Sequence, residues 1–122
     1  MKKYRKEKLS EIFKRTISEI IMERVKDPRI KGLISVNQVE ITDDFKFAKV
    51  YISIFGIEPV EAENVFKGLC NAQNYIRYQL LKMLHLKYIP KIILIHDTRM
   101  SKALNVLEIL DQLKEEREKK NG

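Results

Sequence analysis

Tryptophan is absent from the 122 residues, and glycine and proline number only 4 and 3. A chain poor in both breakers and 44% hydrophobic is not a low-complexity or disordered segment. It should consist mostly of regular elements. The single cysteine, Cys70, cannot form an internal disulfide, which suits a reducing compartment. No apolar run approaches the ~20 residues that a membrane helix needs. The start, MKKYRKEKLSEIF, is basic but has no apolar signal-peptide core. A cytoplasmic protein without membrane contact is therefore expected. Gly32, Gly56 and Gly68 stand alone, which leaves no glycine-rich phosphate loop. One further absence is local: from Asn64 to His96 there is no acidic residue.

What is present defines a small basic domain. A chain of this size buries roughly 65% of its unfolded surface, enough for one core, and one domain is the expectation. The net charge is +7. Met1 to Lys31 holds eleven basic and five acidic residues, 11 − 5 = +6, and the acid-free stretch carries Lys67, Arg77, Lys82, Lys87 and Lys91. Clustered basic charge favours an anionic partner, nucleic acid first. The competing class is a protein-interaction module whose basic faces meet an acidic protein.

Periodicity predicts a helix over 3–25, with Leu9, Ile12, Phe13, Thr16, Ile17, Ile20 and Ile21 on one face, stopped by Pro28. Leu33–Ile41 and Phe47–Phe55 read as an antiparallel hairpin around Thr42-Asp43-Asp44. Glu61–Leu84 is helical, Lys91–Ile95 is a strand apolar on both faces and so expected to be fully flanked, and Ser101–Leu113 is helical again. The tail KEEREKKNG, residues 114–122, is charged and reads as a frayed end. The order α-β-β-α-β-α predicts an α+β fold, with helices over one face of a three-stranded sheet.

The second helix holds an inconsistency. Ala62, Phe66, Leu69, Ala72, Ile76, Leu80 and Met83 form a core stripe, and Asn71, Asn74, Tyr78, Lys82 and His85 a polar ridge. Two asparagines are poor helix-interior residues. A kink over Ala72, Gln73 and Asn74, with Asn74 in a left-handed conformation, would free backbone N–H groups for an anion beside Arg77 and Lys82. A straight solvated helix satisfies the pattern as well. Tyr78 reads either as a stacking platform for an unpaired base or as a half-buried tyrosine with a wet hydroxyl. The candidate RNA contacts are Lys3, Arg5, Lys8, Arg15, Arg29, Lys67, Asn71, Asn74, Arg77, Tyr78, Lys82 and Lys87.

Catalysis and metal binding find no constellation. Cys70 and His85 are isolated, Asp97 caps the last helix, and Asp43 and Asp44 serve the hairpin turn. No enzyme activity, metal or cofactor is expected.

Four stretches, in this order and spacing, resemble the ribosome-binding factor A family. They are Asp27-Pro28-Arg29-Ile30; Val39-Glu40-Ile41-Thr42-Asp43-Asp44-Phe45 with Ala48-Lys49-Val50-Tyr51-Ile52-Ser53; Asn71-Ala72-Gln73-Asn74-Tyr75-Ile76-Arg77; and Pro90-Lys91-Ile92 with Asp97. The resemblance covers roughly residues 3–113. It implies a type II KH-like RNA-binding domain over 1–113, with a kinked helix pair in place of the Gly-x-x-G loop. The family's Ala-x-Gly falls on Ala72 and Asn74, so asparagine stands at its glycine position. It further implies a monomeric assembly factor that binds the free small ribosomal subunit, assists late 16S rRNA processing and leaves before translation. Neither catalysis nor a cofactor is implied, and cold adaptation is part of the same expectation.

Overall fold

Three strands hold the molecule together, and their sequence explains why. The computed structural model describes residues 3–23 and 31–121. The elements are α1 (Lys3–Glu23), β1 (Leu33–Ile41), β2 (Phe47–Phe55), α2 (Pro59–Asn71), α3 (Gln73–Met83), β3 (Lys91–His96) and α4 (Arg99–Asn121). The sheet order is β1-β2-β3, with β1 and β2 antiparallel and β2 and β3 parallel. A parallel neighbour needs a long crossover, and α2 and α3 supply it. The Asp27-Pro28-Arg29 stop signal lies outside the described residues.

Ala48, Val50, Ile52 and Ile54 alternate along β2 and are buried under the helices. Val36, Val39 and Ile41 of β1 join them, as do Ile92 and Leu94 of β3. Val36 and Val39 differ by an odd number, so strict alternation would put them on opposite faces. A bulge between Val36 and Gln38 removes the conflict by leaving Asn37 out of the ladder. From α1, Phe13, Ile17 and Ile20 close the core, and Ile76 and Leu80 of α3 meet them. Truncating one such isoleucine to alanine should cost about 3 kcal/mol in lost burial and cavity.

Strand boundaries agree with the sequence reading for β1 and β2. The hairpin turn closes through Thr42 N–H to Phe47 C=O at 2.9 Å and Phe45 N–H to Thr42 C=O at 2.9 Å. Thr42 Oγ1 donates to Asp44 Oδ1 at 2.7 Å, and Asp44 accepts from the Lys46 N–H at 3.0 Å. The carboxyl of Asp44 is held below its ordinary range by these bonds, Thr42 first.

Three expectations are corrected. β3 pairs with β2 alone and is an edge strand, with Ile93 and Ile95 only half-buried, so it is not flanked on both faces. The last helix does not stop at Leu113: α4 runs to Asn121. Its Glu115/Lys119 and Glu116/Lys120 pairs are spaced four apart with the acid first, which favours helix over fraying. The crossover is two helices, joined within the expected kink over Ala72, Gln73 and Asn74, and what is corrected is the part given to Asn74.

Candidate nucleic-acid interface

Ala72 is the joint. Its φ of −88° and ψ of 5° leave helical geometry without entering the left-handed region. Its N–H is shared between Gly68 C=O at 3.2 Å and Leu69 C=O at 3.0 Å, and its C=O accepts from Ile76 N–H at 2.9 Å. One residue thus ends α2 and begins α3. Among the described non-glycine residues, only Phe45 and His85 have positive φ. Asn74 is therefore corrected: it sits in the first turn of α3, where its side chain meets solvent. A residue in the bridge region bends the chain enough, so no left-handed residue is needed. No side chain caps the first turn of α3.

Burial of Ile76, Gln79 and Leu80 fixes the rotation of α3. Asn74, Tyr78 and Lys82, four apart, then form its exposed ridge, with Tyr75 beside them. Arg77 departs from the sequence reading. It is half-buried and donates from Nη2 to Ile89 C=O at 3.2 Å, so it braces the loop after α3. His85 also leaves the predicted ridge. The helix ends at Met83, and His85, at φ 54°, makes the turn. Leu86 N–H bonds Leu81 C=O at 3.2 Å and His85 N–H bonds Lys82 C=O at 3.3 Å. That pair of bonds is a Schellman motif, with histidine where glycine is usual.

His85, Lys87, Tyr88 and Lys91 are all exposed beyond the ridge, and Lys67 and Asn71 are exposed on α2 before it. Tyr75, Tyr78 and Tyr88 are 41%, 58% and 56% exposed. Sequence reading singled out only Tyr78. Tyr75 lies one step off the ridge, and Tyr88 follows the helix. Both fall in the acid-free stretch, which was the available signal. Tyr88 is held by a partner remote in sequence, the Phe45 ring of the hairpin turn, at 6.0 Å and 49°.

The acids that bound this stretch are both engaged. Glu63 Oε2 is 2.9 Å from His96 Nδ1, and that imidazole stacks on Phe66 at 5.0 Å. Asp97 is buried and pairs with Arg99. Burial, with Glu63 nearby, pushes the Cys70 thiol up, so it is not an activated nucleophile. Among the described residues, no three His, Cys, Asp or Glu side chains group as metal ligands would.

The first helix contributes differently. Arg5, Lys8 and Arg15 are exposed, but Glu7, Glu11 and Glu19 are exposed among them. The outer face of α1 is mixed in sign. Lys6 is drawn to Asp43 at 2.6 Å, and that bond raises the lysine and lowers the carboxyl. Lys3 lies in the first turn of α1, and Arg29 falls outside the described residues. The electropositive surface is thereby narrowed to the end of α2, α3 and the approach to β3.

The family model described as ribosome-binding factor A matches residues 5–110. A ribosome-binding factor A from Caldanaerobacter subterraneus subsp. tengcongensis is 41% identical over 110 residues, 90% of this chain and 89% of that protein. The solution structure of a Thermotoga maritima protein assigned to ribosome binding factor A superposes with a TM-score of 0.67 at 28% identity, covering 78% of this chain and 89% of that one. Thermus thermophilus ribosome binding factor A, as fitted into a cryo-EM map of a 30S–RbfA complex, shares the fold. Its TM-score is 0.62 at 24% identity, over 76% of this chain and 96% of that one.

Proposed function

The chain belongs to the ribosome-binding factor A family, and from that premise we propose that it binds the small ribosomal subunit and assists late maturation of 16S rRNA. The carrying observation is the acid-free stretch from Asn64 to His96, which forms α3 and its flanks. It presents Lys67, Lys82, Lys87 and Lys91 together with three exposed tyrosines and an uncapped helix N-terminus. Lysines neutralise phosphates, the α3 amides take one phosphate oxygen, and Tyr75, Tyr78 and Tyr88 offer ring faces to unstacked bases. Duplex RNA would use the lysines but not the rings. The reading is therefore RNA whose bases are at least partly unpaired. Asn71 and Asn74 flank the joint as hydrogen-bonding groups, while Lys3, Arg5, Lys8, Arg15 and Arg29 add long-range attraction. Arg77 acts by holding the loop.

The element order α1-β1-β2-α2-α3-β3 supports the type II KH-like reading, with the Ala72 joint in place of a Gly-x-x-G loop. The Thermus thermophilus relative's 30S complex supports the partner. The role is one of binding without catalysis, in the cytoplasm where subunits assemble.

Cosedimentation with purified small subunits over a range of salt tests this reading. Each neutralised phosphate should add roughly 0.7–0.9 to the slope of log affinity against log salt. A flat response removes the electrostatic model and favours an acidic protein partner.

A further inference from the structure

The sheet has a second face that the α3 surface does not use. Helices bury Ala48, Val50 and Ile52 from one side. Alternation along β2 puts Phe47, Lys49 and Tyr51 on the other. The strand register extends that face sideways. On β3, Ile93 stands beside Lys49 and Ile95 beside Tyr51. On β1, Glu40 and Gln38 stand opposite the same two residues. None of these side chains is buried, and Phe47 is 39% exposed. The groove along α4 takes in Ile54 and Phe55, at the far end of β2. The open face is continuous with the flank of α3. Lys91, exposed at the start of β3, is in register with Phe47. Its N–H bonds Lys46 C=O at 2.9 Å, and Tyr88 meets the Phe45 ring. The loop after α3 is thereby fastened to the end of the hairpin where the open face begins.

We infer that the open face of the sheet is a second stacking surface for unpaired RNA, entered from the loop after α3. The inference rests on the RNA-binding reading above and extends it. Phe47 and Tyr51 offer two aromatic rings about 13 Å apart along one strand. Aromatic residues on an uncovered sheet can stack successive unpaired bases in this way. Lys49 stands between the two rings, where the phosphate joining two stacked bases would run. Ile93 and Ile95 widen the apolar floor beside the rings. The Gln38 amide can both donate to and accept from a base edge. Among the described strand residues of this face the acid is Glu40, set against Lys49 and Lys91, with Lys46 exposed at the entry. That balance favours an anionic occupant. An apolar protein helix would cover the rings but leave the Lys49 ammonium buried and unpaired. An RNA strand covers the rings and neutralises the lysine as well.

The test is an NMR titration of the isotope-labelled full chain with an alternating cytidine–adenosine RNA of about 12 nucleotides. Backbone amides of Phe47, Lys49, Tyr51, Ile93 and Ile95 should shift together with those of α3. The same strand annealed to its complement should move the sheet amides much less, because paired bases cannot stack on the rings. Lys49→Gln should lower the slope of log affinity against log salt by roughly 0.7. Tyr51→Leu should keep the slope and weaken binding of the same RNA roughly 5- to 150-fold. Phe47→Leu, at a more exposed position, repeats that measurement where Tyr51→Leu disturbs the fold. Shifts confined to α3 and its flanks, or wild-type affinity in both Lys49→Gln and Phe47→Leu, overturn the inference and leave the sheet face to a protein partner. If Lys82→Glu still weakens binding, such a result strikes the sheet face alone. If Lys82→Glu and the sheet variants all bind RNA and small subunits as the wild type does, the RNA-binding reading itself fails.

Discussion

Arg99 grips Asp97 with a two-pronged hydrogen bond, Nε to Oδ1 at 2.9 Å and Nη2 to Oδ2 at 2.8 Å. The same carboxylate caps α4 through Arg99 N–H at 3.1 Å and accepts from Asn37 Nδ2 at 3.2 Å. Asn37 also donates to Ser53 Oγ at 2.6 Å, and Ser53 donates to Asp97 C=O at 3.0 Å. The β1 bulge, β2, β3 and α4 meet in one satisfied polar cluster. Arg99 first, with its backbone N–H and Asn37, holds the Asp97 carboxyl well below the usual carboxylate range, against the opposing pull of burial. A depressed folded value means that the carboxylate stabilises the fold above its unfolded value of about 3.9. That stability is lost as pH falls below it.

Asp97→Asn keeps the shape but turns an amide donor toward a donor, so it should cost about 2 kcal/mol near neutrality. Urea unfolding from pH 3 to 7 checks both statements. Wild type should lose stability below about pH 4, and the variant should lose less over that interval. Equal slopes in the two proteins would mean that Asp97 is not depressed.

At the joint, the structure reverses the order that a left-handed Asn74 implies. With Asn74 exposed in the first turn of α3, alanine should be at least as good as asparagine. Glycine should be worse than alanine by about 1 kcal/mol. Urea midpoints of Asn74→Ala and Asn74→Gly read the order. Glycine above alanine would return the turn to position 74.

The error has a physical origin. Local chemistry marks Asn71 and Asn74 as poor helix interior and correctly signals a break nearby. What chooses the breaking residue is tertiary: Ile76 and Leu80 must reach the core, and that sets where α3 begins. Strand ends were legible for the opposite reason, since β-branched runs and Thr42-Asp43-Asp44 are local signals. The bulge was not, because the partners of Asn37 are Ser53 and Asp97, 16 and 60 residues away. Likewise Tyr88 gains its place from Phe45, and Arg77 its task from Ile89. The acid-free stretch was visible as a string. That the charge on α1 is offset by exposed glutamates emerges only when the helix is wound.

His85 occupies a left-handed position with a β-carbon, at φ 54°. His85→Gly should stabilise the protein by about 1 kcal/mol, since glycine meets no steric cost there and keeps the Schellman bonds. His85→Val should destabilise by more than that, because branching adds crowding. Thermal unfolding at neutral pH measures both. A destabilising glycine would mean that the imidazole makes a contact worth more than the strain.

The α3 surface divides into residues that should affect binding alone and one that should affect folding as well. Lys82 and Tyr78 are exposed, so Lys82→Glu and Tyr78→Leu should change stability by only about 0.5 kcal/mol. Each should weaken small-subunit binding, the first with a shallower salt dependence and the second with the same slope, because a stacking ring neutralises no phosphate. Losing a base-stacking ring should cost about 1–3 kcal/mol of affinity. Arg77→Glu removes the bond to Ile89 C=O and places an acid in a half-buried site, so it should lower stability by about 2 kcal/mol. Its binding loss then partly reflects a loosened loop, and Arg77→Lys should restore less stability than charge alone predicts, because a guanidinium fork is not an ammonium. Changes at Lys119 and Lys120, far along α4, should matter least. Paired unfolding and cosedimentation on these variants read the division. If the α4 variants lose affinity as much as Lys82→Glu, the RNA-facing surface is not confined to α3 and its flanks.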